Sequence, residues 1–184
     1  MKTIDIRLNT DARQILGSCI GKSLSSMEHD EFFFTNSSSQ AVRLNIDSKK
    51  IYIYSFTEQL DYFGSLEDVA VWSVERVELP IIQKKSFIEI PILHAVTDVI
   101  LVQENQSLFE QETQLYDVWI TRGIILELDD LQIAFEKPIW FSEDIIIRRG
   151  YDLIETFRPV DEITNANNWL EGTTMKCARF LEKL

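Results

Sequence analysis

The sequence predicts a mostly β, β-rich α+β domain: an antiparallel sheet or a sandwich of hairpins carrying one or two short helices. Three observations lead there. Apolar residues alternate with polar ones at a period of two in segment after segment, and polar turn clusters separate those segments. No amphipathic stretch clearly supports a helix longer than about four turns. The 184 residues are 45% apolar with only six Gly and four Pro, so residues 1–184 read as a single domain able to bury its own core without a linker.

Ile4, Ile6 and Leu8 alternate with Asp5 and Arg7 and give the first strand. Thr10 then stands as an N-cap before Asp11–Leu16, with Gly17 as the stop, which predicts one or two helical turns. Phe32–Phe34 reads as a buried strand or core corner, followed by the polar loop Thr35–Ser39. Val42, Leu44 and Ile46, the turn Asp47–Lys50, and Ile51 and Ile53 make the clearest β-hairpin. A strand follows through Val69, Val71, Trp72 and Val74, and Leu79-Pro80 breaks the pattern.

Phe87, Ile88 and Ile90 suggest a short strand ended by Pro91, and Val99–Val102 a central one, with the polar stretch Gln103–Gln114 as a separator. Tyr116, Val118 and Ile120 alternate, and Thr121-Arg122-Gly123 bends the chain. Ile124, Leu126 and Leu128 then form a second hairpin with Ile133 and Phe135 around Asp129-Asp130. Ile145–Ile147 is a further strand between polar turns. The C-terminal tail fits either a helix, through Met175, Ala178, Leu181 and Leu184, or a strand, through Met175, Cys177 and Arg179.

The two hairpins also match each other. A shift of 82 places Val42, Leu44, Ile46, Asp47, Ile51 and Ile53 on Ile124, Leu126, Leu128, Asp129, Ile133 and Phe135, and a shift of 76 places Glu67-Asp68-Val69 and Val71 on Glu143-Asp144-Ile145 and Ile147. Amphipathic hairpins share alternation and acidic turns in any case. As a duplication, the match implies two similar β-units, about 1–78 and 93–184, related by an approximate twofold axis.

Eighteen basic against 30 acidic residues give a net charge of −12, which opposes nucleic-acid phosphates and anionic membrane surfaces. The start Met-Lys-Thr-Ile-Asp lacks a secretory apolar run, and no apolar stretch approaches the ~20 residues that span a bilayer. The expectation is a soluble, cytoplasmic protein with Cys19 and Cys177 as free thiols, in neither a C-x-x-C pair nor a zinc pattern.

Motifs for chemistry are few. Gly17-Ser18-Cys19-Ile20-Gly21-Lys22-Ser23 approaches the phosphate-binding pattern G-x-x-x-x-G-K-[ST] but is one residue short, with no apolar strand directly before it and a poor helix start after it. His29 lies beside Asp30-Glu31, and His94 four residues before Asp98, without a strained nucleophile turn for either. The acidic pairs Glu67-Asp68, Asp129-Asp130, Glu143-Asp144 and Asp161-Glu162 lack calcium-loop spacing and suit solvated turns. Of the four tryptophans, Trp72, Trp119, Trp140 and Trp169, Trp140 suits an exposed anchor and all four suit core packing.

No catalytic, cofactor-binding or metal-binding residue is therefore assigned. The leading expectation is a non-catalytic acidic protein that binds a macromolecular partner, a basic protein, through Asp129, Asp130, Trp140, Glu143 and Asp144. In charge and size the chain resembles small acidic bacterial proteins that neutralise a cognate toxin, a likeness of composition that no motif carries; a regulatory binding protein fits as well. The alternatives are an enzyme with an unfamiliar site using a histidine and the acidic pairs, and an oligomeric structural module whose exposed strand edge or apolar face pairs with a second copy.

Overall fold

A computed structural model describes residues 1–30, 38–39, 41–62, 65–77, 86–139, 141–166 and 172–184. In chain order the elements are β1 (Lys2–Ile6), α1 (Thr10–Gly17), β2 (Ser23–Asp30), β3 (Ser38–Ser39), β4 (Ala41–Ile46), β5 (Lys49–Tyr62), β6 (Ser65–Glu75), β7 (Phe87–Glu110) and β8 (Thr113–Leu128). They continue with β9 (Gln132–Glu136), β10 (Ile145–Gly150), a 3-10 turn (Leu153–Thr156), α2 (Val160–Ala166) and β11 (Thr173–Lys183). The protein is mostly β, with two short α-helices among the described residues, as the alternation implies.

All the strands join one 11-stranded sheet in the order β3-β10-β9-β8-β7-β2-β4-β5-β6, with β1 added to β8 and β11 to β7. Among the described residues every pairing is antiparallel except β1 on β8. The sheet folds over so that its halves face each other. Leu44 of β4, Ile53 of β5 and Trp72 of β6 share one core with Leu126 of β8, Phe135 of β9 and Ile145 of β10. Each such aliphatic side chain, fully buried, contributes about 1.5–3 kcal/mol. The Trp72 indole N–H crosses between the halves to the Thr121 carbonyl at 2.7 Å.

Strand β7 makes this arrangement possible. Among the described residues its first part pairs with β2 alone, and its second part lies between β11 and β8. The sequence reading ends a strand at Pro91 and places a polar separator over 103–114, whereas β7 runs through both to Glu110. Pro91 sits where the β2 ladder shifts register, beside Leu93 with φ of +62°. A bulge on a singly paired stretch is where a residue without an N–H is tolerated. Strand β2 escapes the sequence reading for a related reason, because the shift between Leu24 and Ser26 breaks its alternation.

Smaller differences have similarly local causes. Helix α1 is capped by Asn9, whose side chain accepts from the Ala12 N–H at 2.8 Å, so the cap lies one residue before Thr10. The tail is a strand because its backbone completes the free edge of β7 over eleven residue pairs. Glu67-Asp68 lies within β6, facing Leu60 and Gln59, not at a turn. The expected strand at Phe32–Phe34 lies outside the described residues.

The two hairpins use the same register: Val42 faces Ile53 and Leu44 faces Ile51, as Ile124 faces Phe135 and Leu126 faces Ile133. From the β7–β2 contact the sheet runs outward as β7-β8-β9-β10 on one side and β2-β4-β5-β6 on the other. Ile53 faces Val74, and Phe135 faces Ile147. By pairing, the counterpart of Ile147 is therefore Val74, three positions beyond the Val71 that the 76-residue shift selects. Strand β6 is buried on both faces, with Val69 and Val71 in one core and Trp72 and Val74 in another, which blurs its register in the sequence.

The outer face of β7, β8 and β9 is closed by the 3-10 turn, with Leu153 and Phe157 packed on Ile100, Val102, Ile125 and Ala134. Gly123 lies beneath this cover. A Cβ there would fall 2.4 Å from Phe157 Cε1 and 2.5 Å from the Phe135 carbonyl oxygen, so Gly123→Ala is expected to destabilise the protein by about 1–3 kcal/mol. Urea unfolding would measure this, and an unchanged midpoint would show that Phe157 does not hold this position.

Candidate functional site

The residues expected to bind a partner fall into two separate groups. Asp129 and Asp130 form the β8–β9 turn, where Asp129 accepts from the Ala95 N–H at 3.0 Å and Asp130 meets His94 Nδ1 at 3.0 Å. Glu143 and Asp144 lie on the loop 137–144 at the other end of β9, more than about 13 Å away by strand rise. Trp140, also expected at the contact, lies outside the described residues. The structure thus joins Glu143 to Asp144 but keeps both from Asp129 and Asp130.

Loop 137–144 is built on a buried charge network that the sequence reading misses. Glu104 of β7 is 0% exposed. Its Oε2 accepts from Arg122 Nε and Nη2 at 2.9 and 2.7 Å, and its Oε1 from Arg179 Nε and Nη2 at 3.0 and 2.6 Å. Arg122 then donates through Nη1 to the carbonyls of Lys137 and Pro138 at 2.7 and 3.0 Å, fixing the start of the loop. Burial would raise the Glu104 carboxyl, but the charges and hydrogen bonds of Arg122 and Arg179 outweigh it and hold the pKa below the usual value.

Arg122 reaches Glu104 because of a bulge. Gly123 pairs with Val102 and Thr121 with Gln103, leaving Arg122 as the extra residue of β8. The bend expected at Thr121–Gly123 is this bulge within one continuous strand.

Lys137 continues the network inward. Its amine donates to the Ser55 hydroxyl and stands 5.1 Å from the Trp72 ring centre. Burial is the largest influence on it and, despite the opposing pull of Glu143, lowers its pKa to about 7; the nearby Arg122 charge acts in the same direction as burial. At the far end of the loop the Thr57 hydroxyl donates to Glu143. Strand β5 thereby holds the loop at both ends. Between them Ile139 and Phe141 are 43% and 46% exposed. No protein-family model, curated protein or solved structure matches this chain.

The other motifs are not gathered here. His29 is buried in β2 opposite Ile88, and His94 pairs with Leu24 about 20 Å further along β7. The His94–Asp130 contact stands near an open groove lined by Glu127, Asp129, Asp130, Tyr151 and Asp152. Among the described residues no group of three His, Cys, Asp or Glu could hold a metal ion, and no helix is long and apolar enough to cross a membrane. Cys19 and Cys177 are free thiols.

The Gly17–Ser23 segment cannot act as a backbone phosphate loop. It follows a helix instead of preceding one, and every N–H from Ser18 to Ser23 already has an acceptor, in turn the Gln14, Leu16, Gly17, Val96 and Cys19 carbonyls and Asp47 Oδ1.

Proposed function

We propose that this protein is a non-catalytic binding protein for a basic protein partner, with loop 137–144 as its contact. The observation that carries this reading is the pairing on one loop of exposed Ile139 and Phe141 with the carboxylates Glu143 and Asp144. Apolar anchors supply affinity when desolvated, and surrounding carboxylates supply orientation and encounter rate toward a cationic surface. The net charge of −12 acts in the same direction over longer range.

The buried network has a role in this reading. Glu104 fixes Arg122, and Arg122 fixes the carbonyls of Lys137 and Pro138. Both ends of the loop are thus held before binding, by Arg122 at Lys137 and Pro138 and by Thr57 at Glu143, which lowers the entropic cost of association. The mirrored strand order and shared hairpin register support reading the chain as a duplicated unit, about 1–78 and 93–184. On that reading the binding loop is an elaboration of one copy.

Capture from the native host with the intact protein and with an Ile139→Ser/Phe141→Ser double variant provides the test. The expected result is a basic protein retained by the intact chain, lost from the variant, and released as salt is raised. If every captured protein bound both forms equally, loop 137–144 would not be the contact.

A further inference from the structure

We infer that the cavity between the end of α1, the β4–β5 hairpin and the end of β6 binds a phosphate group carried on a small organic molecule. The cavity, of about 220 Å³, is lined by Ser18, Lys22, Lys49, Lys50 and Arg76 over a floor of Ile46 and Ile51. Four cations thus surround one space in a chain where acidic residues outnumber basic ones 30 to 18.

Elsewhere most described cations meet an acid, among them Arg13 with Glu182, Arg43 with Glu28, Arg148 with Glu136, Arg179 with Glu104 and Lys183 with Asp98, whereas Lys137 and Lys176 lie against the rings of Trp72 and Phe109. Among the described residues, none of the four at the cavity forms an ion pair and no carboxylate lines it. The neighbouring acids Asp47 and Glu75 accept from the Ser23 N–H and the Ser73 hydroxyl and form no ion pair with these cations.

The positions of the cations are set by the fold. The Asp47 N–H donates to the Ser23 carbonyl at 2.9 Å, tying the hairpin turn to the segment that carries Lys22. Lys22 itself is held through its carbonyl by the Val96 N–H at 2.8 Å. Arg76 donates to Ser18 Oγ at 3.0 Å, and that hydroxyl donates to the Ile15 carbonyl at 2.7 Å. The carbonyl end of α1 accounts for cations at Lys22 and Arg76, but not for Lys49 and Lys50 across the cavity.

Three ammonium groups and a guanidinium match a dianionic phosphate better than a singly charged carboxylate, since lysine binds phosphate as a point charge and arginine as a fork. The volume lies below the roughly 300 Å³ at which pockets for drug-sized ligands begin, which favours a small phosphate ester. The apolar floor of Ile46 and Ile51 suits its organic part. Recognition here is by side chains, because the backbone N–H groups of Ser18–Ser23 are already bonded.

The test is titration of the full chain, at constant sodium chloride, with phenyl phosphate, inorganic phosphate and benzoate, followed by backbone amide NMR. Saturable shifts at Lys22, Lys49, Lys50 and Arg76 with phenyl phosphate are expected, weakened roughly tenfold or more in a Lys49→Ala/Lys50→Ala variant whose remaining spectrum is unchanged. Tighter binding of phenyl phosphate than of inorganic phosphate supports the ester. Equal or tighter binding of inorganic phosphate would overturn the ester and assign the free ion. Benzoate binding as well as phenyl phosphate, no saturable shift, or shifts unaltered in the variant would overturn phosphate recognition at this cavity.

Discussion

Replacing Glu104 by alanine is expected to destabilise the protein by about 3–5 kcal/mol, the cost of leaving a buried charge without its partner. Arg122 is 2% exposed and has its guanidinium committed to Glu104 and to two carbonyls, so it cannot turn to water. Arg179 would also lose its carboxylate, while keeping the Arg158 carbonyl at 2.6 Å. Chemical denaturation of Glu104→Ala measures the loss. A shift of less than about 1 kcal/mol, the range of exposed ion pairs, would show that the network is solvated in solution.

The same site gives a pH dependence. Glu104 is held below its ordinary carboxyl pKa in the folded state, so unfolding raises its proton affinity. Its stabilisation is complete above the unfolded carboxyl value and is lost as pH falls through the folded one. The double substitution Glu104→Gln/Arg122→Met removes both charges together. It should therefore cost less than Glu104→Ala, a comparison that separates an unpaired charge from lost packing.

The second large effect is at Lys137, and its sign is opposite. Its folded pKa of about 7 lies below the ordinary 10.5, so between these values the unfolded chain keeps a proton that the folded chain releases. The penalty for burying the charge is complete below pH 7 and falls as pH rises towards 10.5. Lys137→Met removes the charge while filling similar space. Its stability advantage over the intact protein should be largest near pH 6 and shrink by up to about 1.4 kcal/mol per pH unit through the window.

Paired denaturation curves from pH 6 to 10 check this, since Cys19 and Cys177, whose thiols burial pushes up to about 11 and about 12, are common to both proteins and cancel in the difference. Parallel profiles would show that Lys137 keeps its proton throughout. Each variant also informs the binding reading, because both side chains lie at the base of loop 137–144.

Hairpin β4–β5, the second half of β8 with β9, and the strand at Ile145 were legible because each has one regular apolar face and a polar turn beside it. Alternation is a local property, and these segments keep it without interruption. Strand β2, the full length of β7, and the bulge at Arg122 were not legible. A bulge shifts alternation by one residue, and Gln103, Glu104 and Gln106 look like solvent-facing positions until partners are supplied.

For the candidate site, the sequence puts Trp140, Glu143 and Asp144 close together between the strands at Phe135 and Ile145, and it marks Lys22 within a near-miss phosphate motif. It does not place Asp129 and Asp130 at the opposite end of β9, nor Arg76 beside Lys22, because strand order and register set those distances. What sequence determined alone was class, charge and the local hairpins, all consequences of residue type and near-neighbour spacing. Tertiary structure decided which polar groups lie in the core and which cations share a cavity. Glu104 meets Arg179 across 75 residues, and a contact at that separation is written in the pairing of β7 with β11, not in either segment.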